Sequence, residues 1–153
     1  MHTVSHKHCI QSFTHRFSCP TECRLSRSDA AWKCQVYLRR ITNASGVALA
    51  QVKNEHFGDA IHDKAFVEER IRRAQRAILN PSKPATDFLY GEDEEIASPE
   101  LTFTSNYISL EISGPDVADL SFCDLPGETD PSSLQYSILM LSRVNFEFER
   151  RRF

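Results

Sequence analysis

The sequence predicts an α/β fold built on an open, mixed sheet. Two period-two segments and one period-3.6 segment, joined by short turns, carry that expectation. In the first, Trp32, Cys34, Val36 and Leu38 alternate with Lys33, Gln35, Tyr37 and Arg39, as in a strand with one buried face. In the second, Ile108, Leu110 and Ile112 alternate with Ser109, Glu111 and Ser113. Between them, Val67, Ile71, Ala74 and Ile78 fall at i, i+4, i+7 and i+11, the stripe of an amphipathic helix.

The chain has 153 residues, 41% hydrophobic and 25% charged, which leaves room for one globular domain and excludes collagen and low-complexity classes. No stretch has the roughly 18 apolar residues of a membrane-spanning helix, and residues 1–8 lack the apolar core of a secretory signal. An intracellular chain is therefore expected. Five cysteines, an odd number, argue for reduced thiols over a disulfide framework. Charge is asymmetric: residues 1–90 hold 14 Lys+Arg against 8 Asp+Glu, and residues 91–153 hold 4 against 13. The basic half does not read as a nucleic-acid surface, because Arg70, Arg72, Arg73 and Arg76 follow Glu68 and Glu69 on one helix without interleaved aromatics. A solvated helix face is the expectation, and no nucleic-acid partner.

Residues 1–18 carry four of the six histidines and no hydrophobic period, so they read as an irregular or disordered lead-in. Asn43-Ala44-Ser45-Gly46 supplies a turn after the first strand, and Val47 to Val52 returns as its hairpin partner. Asp63 offers the N-cap of the helix, which Pro81 ends. Pro84, Glu92-Asp93-Glu94-Glu95 and Pro99 describe an exposed, solvated connection. Gly114-Pro115 then turns the chain into a second apolar run, Leu120 to Cys123. Tyr107 to Ser113 and Asp119 to Asp124 are thus expected as the central strands, packed by a helix over 63–80. The tail from residue 128 mixes both patterns and reads as neither helix nor strand.

Chemistry concentrates at the end of the last strand, where Asp124-Leu125-Pro126-Gly127 forms a D-x-x-G element. A strand-terminal carboxylate can hold Mg²⁺ through water, and a glycine N–H can approach a terminal phosphate without a Cβ in the way. In open α/β sheets the carboxyl edge is where ligands bind. An aspartate before a Pro-Gly turn is also ordinary turn chemistry. Cys19 and Cys23, with His15 and Cys9, hold N/S donors but lack a second pair at zinc-site spacing. Cys123 is expected to be a small core residue, and His56 and His62 to lie at or near the surface.

The run LTFTSNYISLEISGPDVADLSFCDLPG (101–127), the helix VEERIRRAQRAILNPS (67–82) and the segment CPTECRLSRS (19–28) followed by WKCQVYLRR together resemble the GTPase domain of the dynamin superfamily. The resemblance covers residues 19–127. It implies an incomplete P-loop GTPase-like domain with a mixed central sheet flanked by helices, preceded by the lead-in and followed by a divergent tail over 128–153. It also implies GTP and Mg²⁺ as ligands, with Asp124 at the Mg²⁺ water shell and Gly127 at the γ-phosphate. The family couples GTP hydrolysis to self-assembly and membrane remodelling, which implies assembly with dynamin-like proteins and a cytoplasmic place at the periphery of organelle membranes.

The sequence departs from that family in identifiable places. Its glycines are Gly46, Gly58, Gly91, Gly114 and Gly127, so no G-x-x-x-x-G-K-[ST] element occurs. Phe17 stands where the family's Mg²⁺-binding threonine is expected, three residues before Pro20. No lysine follows Gly127, so a [TN]-K-x-D base-reading element is missing as well. The chain reads as the middle piece of such a domain, weak or inactive in GTP turnover, as from a truncated or misjoined gene product. Two alternatives are a degenerate module that pairs with intact family members and a fragment without function.

Overall fold

A computed structural model describes residues 19–91 and 99–124. The lead-in over 1–18, the acidic run over 92–98, Gly127 and the tail over 128–153 lie outside the described residues.

Among the described residues, five strands form one mixed sheet: β1 (Thr21–Arg27), β2 (Lys33–Thr42), β3 (Ala48–His56), β4 (Tyr107–Gly114) and β5 (Leu120–Asp124), in the order β3-β2-β4-β1-β5. β1 runs parallel to β4, and every other neighbouring pair is antiparallel. Helix α1 (Val67–Leu79) packs on β2 and β4, and a short helix α2 (Ala85–Tyr90) packs on α1.

One face of the sheet makes the core. The registers align Cys34, Val36 and Leu38 with Ile112, Leu110 and Ile108, and those with Leu25, Cys23 and Thr21. Against this face α1 buries Val67, Ile71, Ala74, Ala77 and Ile78, the predicted stripe. The other face is polar and carries no helix among the described residues. There Ser109 donates to Glu22 (3.0 Å), Glu22 accepts from Arg24 (2.9 Å), and the Tyr37 hydroxyl donates to Glu111 (3.1 Å).

Turn chemistry fixes the hairpin between β2 and β3. Asn43 Oδ1 accepts from the N–H groups of Ser45 (3.0 Å) and Val47 (2.9 Å), while Gly46 takes φ +77°. β2 departs from regular pairing between Arg40 and Thr42, and buried Asn106 holds that irregularity. Its Oδ1 accepts from Ile41 N (2.8 Å), Thr42 N (2.9 Å) and Thr42 Oγ1 (3.2 Å). Asp63 caps a single 3-10 turn (Lys64–Phe66) by accepting from Ala65 N at 2.9 Å, and α1 starts directly after it.

Three expectations are corrected. The strand after Gly114 is not central: β1 inserts between β4 and β5, so the two runs joined by the Gly-Pro turn never pair. The segment after Pro84 is not wholly a solvated connection, because α2 buries Phe88 there. Nor is the arginine face of α1 all solvated. Arg70 Nη1 donates to the carbonyls of Phe57 (3.0 Å) and Asp59 (3.1 Å), and Arg73 Nη1 to those of Phe88 (3.0 Å), Leu89 (3.3 Å) and Gly91 (2.9 Å). A guanidinium at the carbonyl end of α2 caps a helix too short to hold itself.

Candidate functional site

Asp124 is the last residue of β5, so the structure puts the first residue of the D-x-x-G element at a strand end. β5 is antiparallel to β1, and Asp124 therefore lies across from Thr21, the first residue of β1. The same row continues through Ile108 to Leu38. Strand polarity at this edge is mixed. β5 and β2 end there while β1 and β4 begin, so the carboxyl-edge rule for parallel sheets does not locate a crevice here.

What distinguishes the edge is unspent hydrogen-bonding capacity. Thr21 is 4% exposed, and its hydroxyl has no hydrogen-bond partner. Arg39, paired in register with Tyr107 at the same edge, has a buried Nε without a partner. These are the two orphaned side-chain polar atoms among the described residues; Thr21 lies directly across from Asp124, whereas Arg39 lies on β2, three strands from β5 and on the opposite face of the sheet. A buried hydroxyl left unpaired costs about 1–3 kcal/mol, so Thr21 is the residue at this strand end with hydrogen-bonding capacity to spare. Neither was singled out from sequence. Thr21 shares the alternation of Cys23 and Leu25 against Glu22 and Arg24, the one local signal of the strand and its inward hydroxyl, and a faint one.

The residues present fit only part of a nucleotide site. They place an aspartate at a strand end with Thr21 across from it in register. They do not supply a phosphate cradle: Gly46 sits in the hairpin turn, Gly58 against Arg70, Gly91 at the end of α2 and Gly114 against Trp32. No step of hydrolysis is derived from this arrangement.

Other candidates disperse. Cys19 and Cys23 both belong to the core, and burial pushes the Cys19 thiol up to about 12, so it is protonated and poorly suited to metal. Among the described residues no group of three or more His, Cys, Asp or Glu comes together. Cys123 is exposed, contrary to its expected place in the core, because it lies in the row of Glu22 and Ser109 on the polar face. His56 stacks on Tyr37 with ring centroids 4.6 Å apart, and His62 Nδ1 approaches the Trp32 carbonyl at 3.4 Å. Burial, then the bond to Glu111, raises the Tyr37 hydroxyl above its ordinary range. Ser109 is fully buried beside a carboxylate already paired with Arg24, an arrangement without an accessible nucleophile. No helix among the described residues is long and apolar enough to cross a membrane.

A stretch of 71 residues is 39% identical to an interferon-induced GTP-binding protein Mx from Dicentrarchus labrax. The match takes in 46% of this chain and spans 8% of that protein's length. No protein-family model matches the chain.

Proposed function

We propose that this chain carries the γ-phosphate-sensing strand and loop of a dynamin-type GTPase domain, with Asp124 at a Mg²⁺ water shell and Gly127 at the γ-phosphate. The observation that supports this most is the likeness to a GTP-binding protein, together with the placement of Asp124 at a strand end across from Thr21, whose hydroxyl is unpartnered. In this reading Asp124 would hold a Mg²⁺ water shell and the Gly127 N–H would contact the γ-phosphate, a contact available to GTP and not to GDP. The place of action is the cytoplasm, at organelle membranes reached indirectly, through assembly with dynamin-like partners. GTP affinity and turnover would depend on a phosphate cradle and a base-reading element that this sequence does not contain.

The test has two parts. The chain alone should bind GTP and Mg²⁺ weakly or not at all, since a P-loop normally provides most β- and γ-phosphate contacts, and Asp124→Ala should be nearly silent. A fusion that supplies a P-loop ahead of Cys19 and Phe17→Thr should gain affinity and prefer a non-hydrolysable GTP analogue to GDP. Gly127→Ala should shrink that preference, because a Cβ hinders the close backbone approach. An unchanged ratio of the two affinities in calorimetric titration would make Asp124-Leu125-Pro126-Gly127 a plain turn.

A further inference from the structure

Among the described residues β3 is the outer strand at one end of the sheet, and nearly all of its residues are exposed. It is nine residues long, has no proline and carries only two charges, Lys53 and Glu55. Such an edge presents a row of unpaired backbone groups, which proteins usually blunt with charge, proline or a cover. Val52, at 53% exposed, adds apolar surface.

The hydrogen-bond phase of the hairpin says which groups face outward. Phe57 N donates to Val36 O at 2.9 Å, and antiparallel ladders alternate, so Glu55 and Lys53 spend their backbone groups on Leu38 and Arg40. Asn54 and His56 therefore turn their N–H and C=O groups away from β2. Any strand added here has to pair with those two residues.

We infer that β3 pairs antiparallel with the β3 of a second copy of this chain about a two-fold axis at Asn54, joining the two sheets into one. Charge selects both the partner and the register. Centred on Asn54, the outward groups of each Asn54 exchange hydrogen bonds, and Lys53 of each copy lies directly opposite Glu55 of the other. A two-fold axis one residue earlier places Lys53 against Lys53, and one residue later places Glu55 against Glu55. Opposite charges directly across antiparallel strands stabilise, and like charges destabilise. The same register sets Val52 opposite His56, whose ring already rests on Tyr37. The irregularity that ends regular pairing near Arg40 confines the seam to the stretch around 52–56, so the dimer is weak and concentration-dependent. This inference rests on the β3 edge alone and is independent of the nucleotide reading.

Sedimentation velocity on the full chain over about 10–500 µM, where mass action populates a weak dimer, tests it. Wild type should shift from monomer to dimer across that range. Lys53→Glu and Glu55→Lys, each of which sets like charges across both halves of the seam, should each weaken association about ten-fold or more. Glu55 also lies 3.5 Å from Arg40 Nε in its own sheet, so the double swap Lys53→Glu/Glu55→Lys, which keeps that loss, should still associate clearly more tightly than Glu55→Lys alone, a rescue that the Arg40 contact does not produce. Asn54→Pro should remove self-association while keeping the far-ultraviolet spectrum of wild type, because the lost N–H faces away from β2. A wild-type chain monomeric throughout, a double swap without recovery, or dimerisation unchanged in any of the single variants would overturn the inference.

Discussion

Gly58→Ala is the substitution whose cost the structure lets one work out by parts. Gly58 sits at φ +77°, where an added Cβ would collide with Arg70 Nη1 and lie 2.9 Å from its Cζ and 3.0 Å from Leu89 Cδ1. That Nη1 donates to the carbonyls on either side of the glycine, Phe57 O and Asp59 O. The left-handed backbone alone costs a residue with a Cβ about 1–2 kcal/mol. Pushing the guanidinium aside forfeits two charge-assisted bonds, about 1 kcal/mol each once partial exposure is allowed for. The expected total is about 3–4 kcal/mol, or a fall in midpoint of roughly 10 °C for a domain of this size. Gly46 provides the control, since it has the same φ of +77° but nothing within 4 Å of its built Cβ. Gly46→Ala should therefore cost only the backbone part, about 1–2 kcal/mol. Urea unfolding followed by Trp32 fluorescence would give all the values, including Gly58→Ala in an Arg70→Ala background. There the penalty should drop toward that of Gly46→Ala. Equal penalties at the two glycines in wild type, or an undiminished Gly58→Ala penalty without Arg70, would refute the reasoning.

Asn106→Ala should destabilise the chain by about 2–4 kcal/mol in the same unfolding assay, because it strips the acceptor from two backbone N–H groups and one hydroxyl at the irregular end of β2. Thiol accessibility should sort by burial: peptide mapping after native alkylation should find Cys123 modified early and Cys19, Cys23 and Cys34 only after unfolding. Burial raises the Cys19 and Cys34 thiols from 9.0 to about 12, so above pH 9 the unfolded chain releases protons that the folded chain keeps. Their contribution to stability is accordingly full below pH 9 and is lost as pH climbs toward 12, which denaturant midpoints along a pH series would register.

How much of this was legible in the sequence depends on how local each cause is. β2, β4 and α1 follow from strict periods in which every inward position is apolar, so Val36, Leu110 and Ile71 could be placed inside without knowing their neighbours. β1 shows the same alternation, but with Thr21 and Cys23 at inward positions and two charges outward its signal is faint. Its neighbours on both sides come from residues near the other end of the described chain, and no local pattern announces that pairing. The same distant insertion moved β5 to an edge and left Cys123 exposed. α2 was missed because its six residues are held by Arg73, a residue of another element. For the candidate site, the strand end at Asp124 was readable from the apolar run before it. The placement of Thr21 across from it was not, since it depends on cross-strand register.

The seating of β1 between β4 and β5 also orders events in time. Contacts across it tie residues far apart in the chain: Ser109 with Glu22, 87 positions away, and Asp119 with Arg27, 92 positions away. The β2–β3 hairpin and α1 are built from neighbours and can form as soon as they are synthesised, whereas β1 must wait for everything up to residue 124 to leave the ribosome. Until then Cys23 and Leu25 have no sheet to join, and the inner edge of β2 stands open to any passing strand. Long loop closure before reward is the recipe for slow folding, so a nascent chain of this sequence should depend on chaperone shielding during the interval in which its middle exists and its last strands do not.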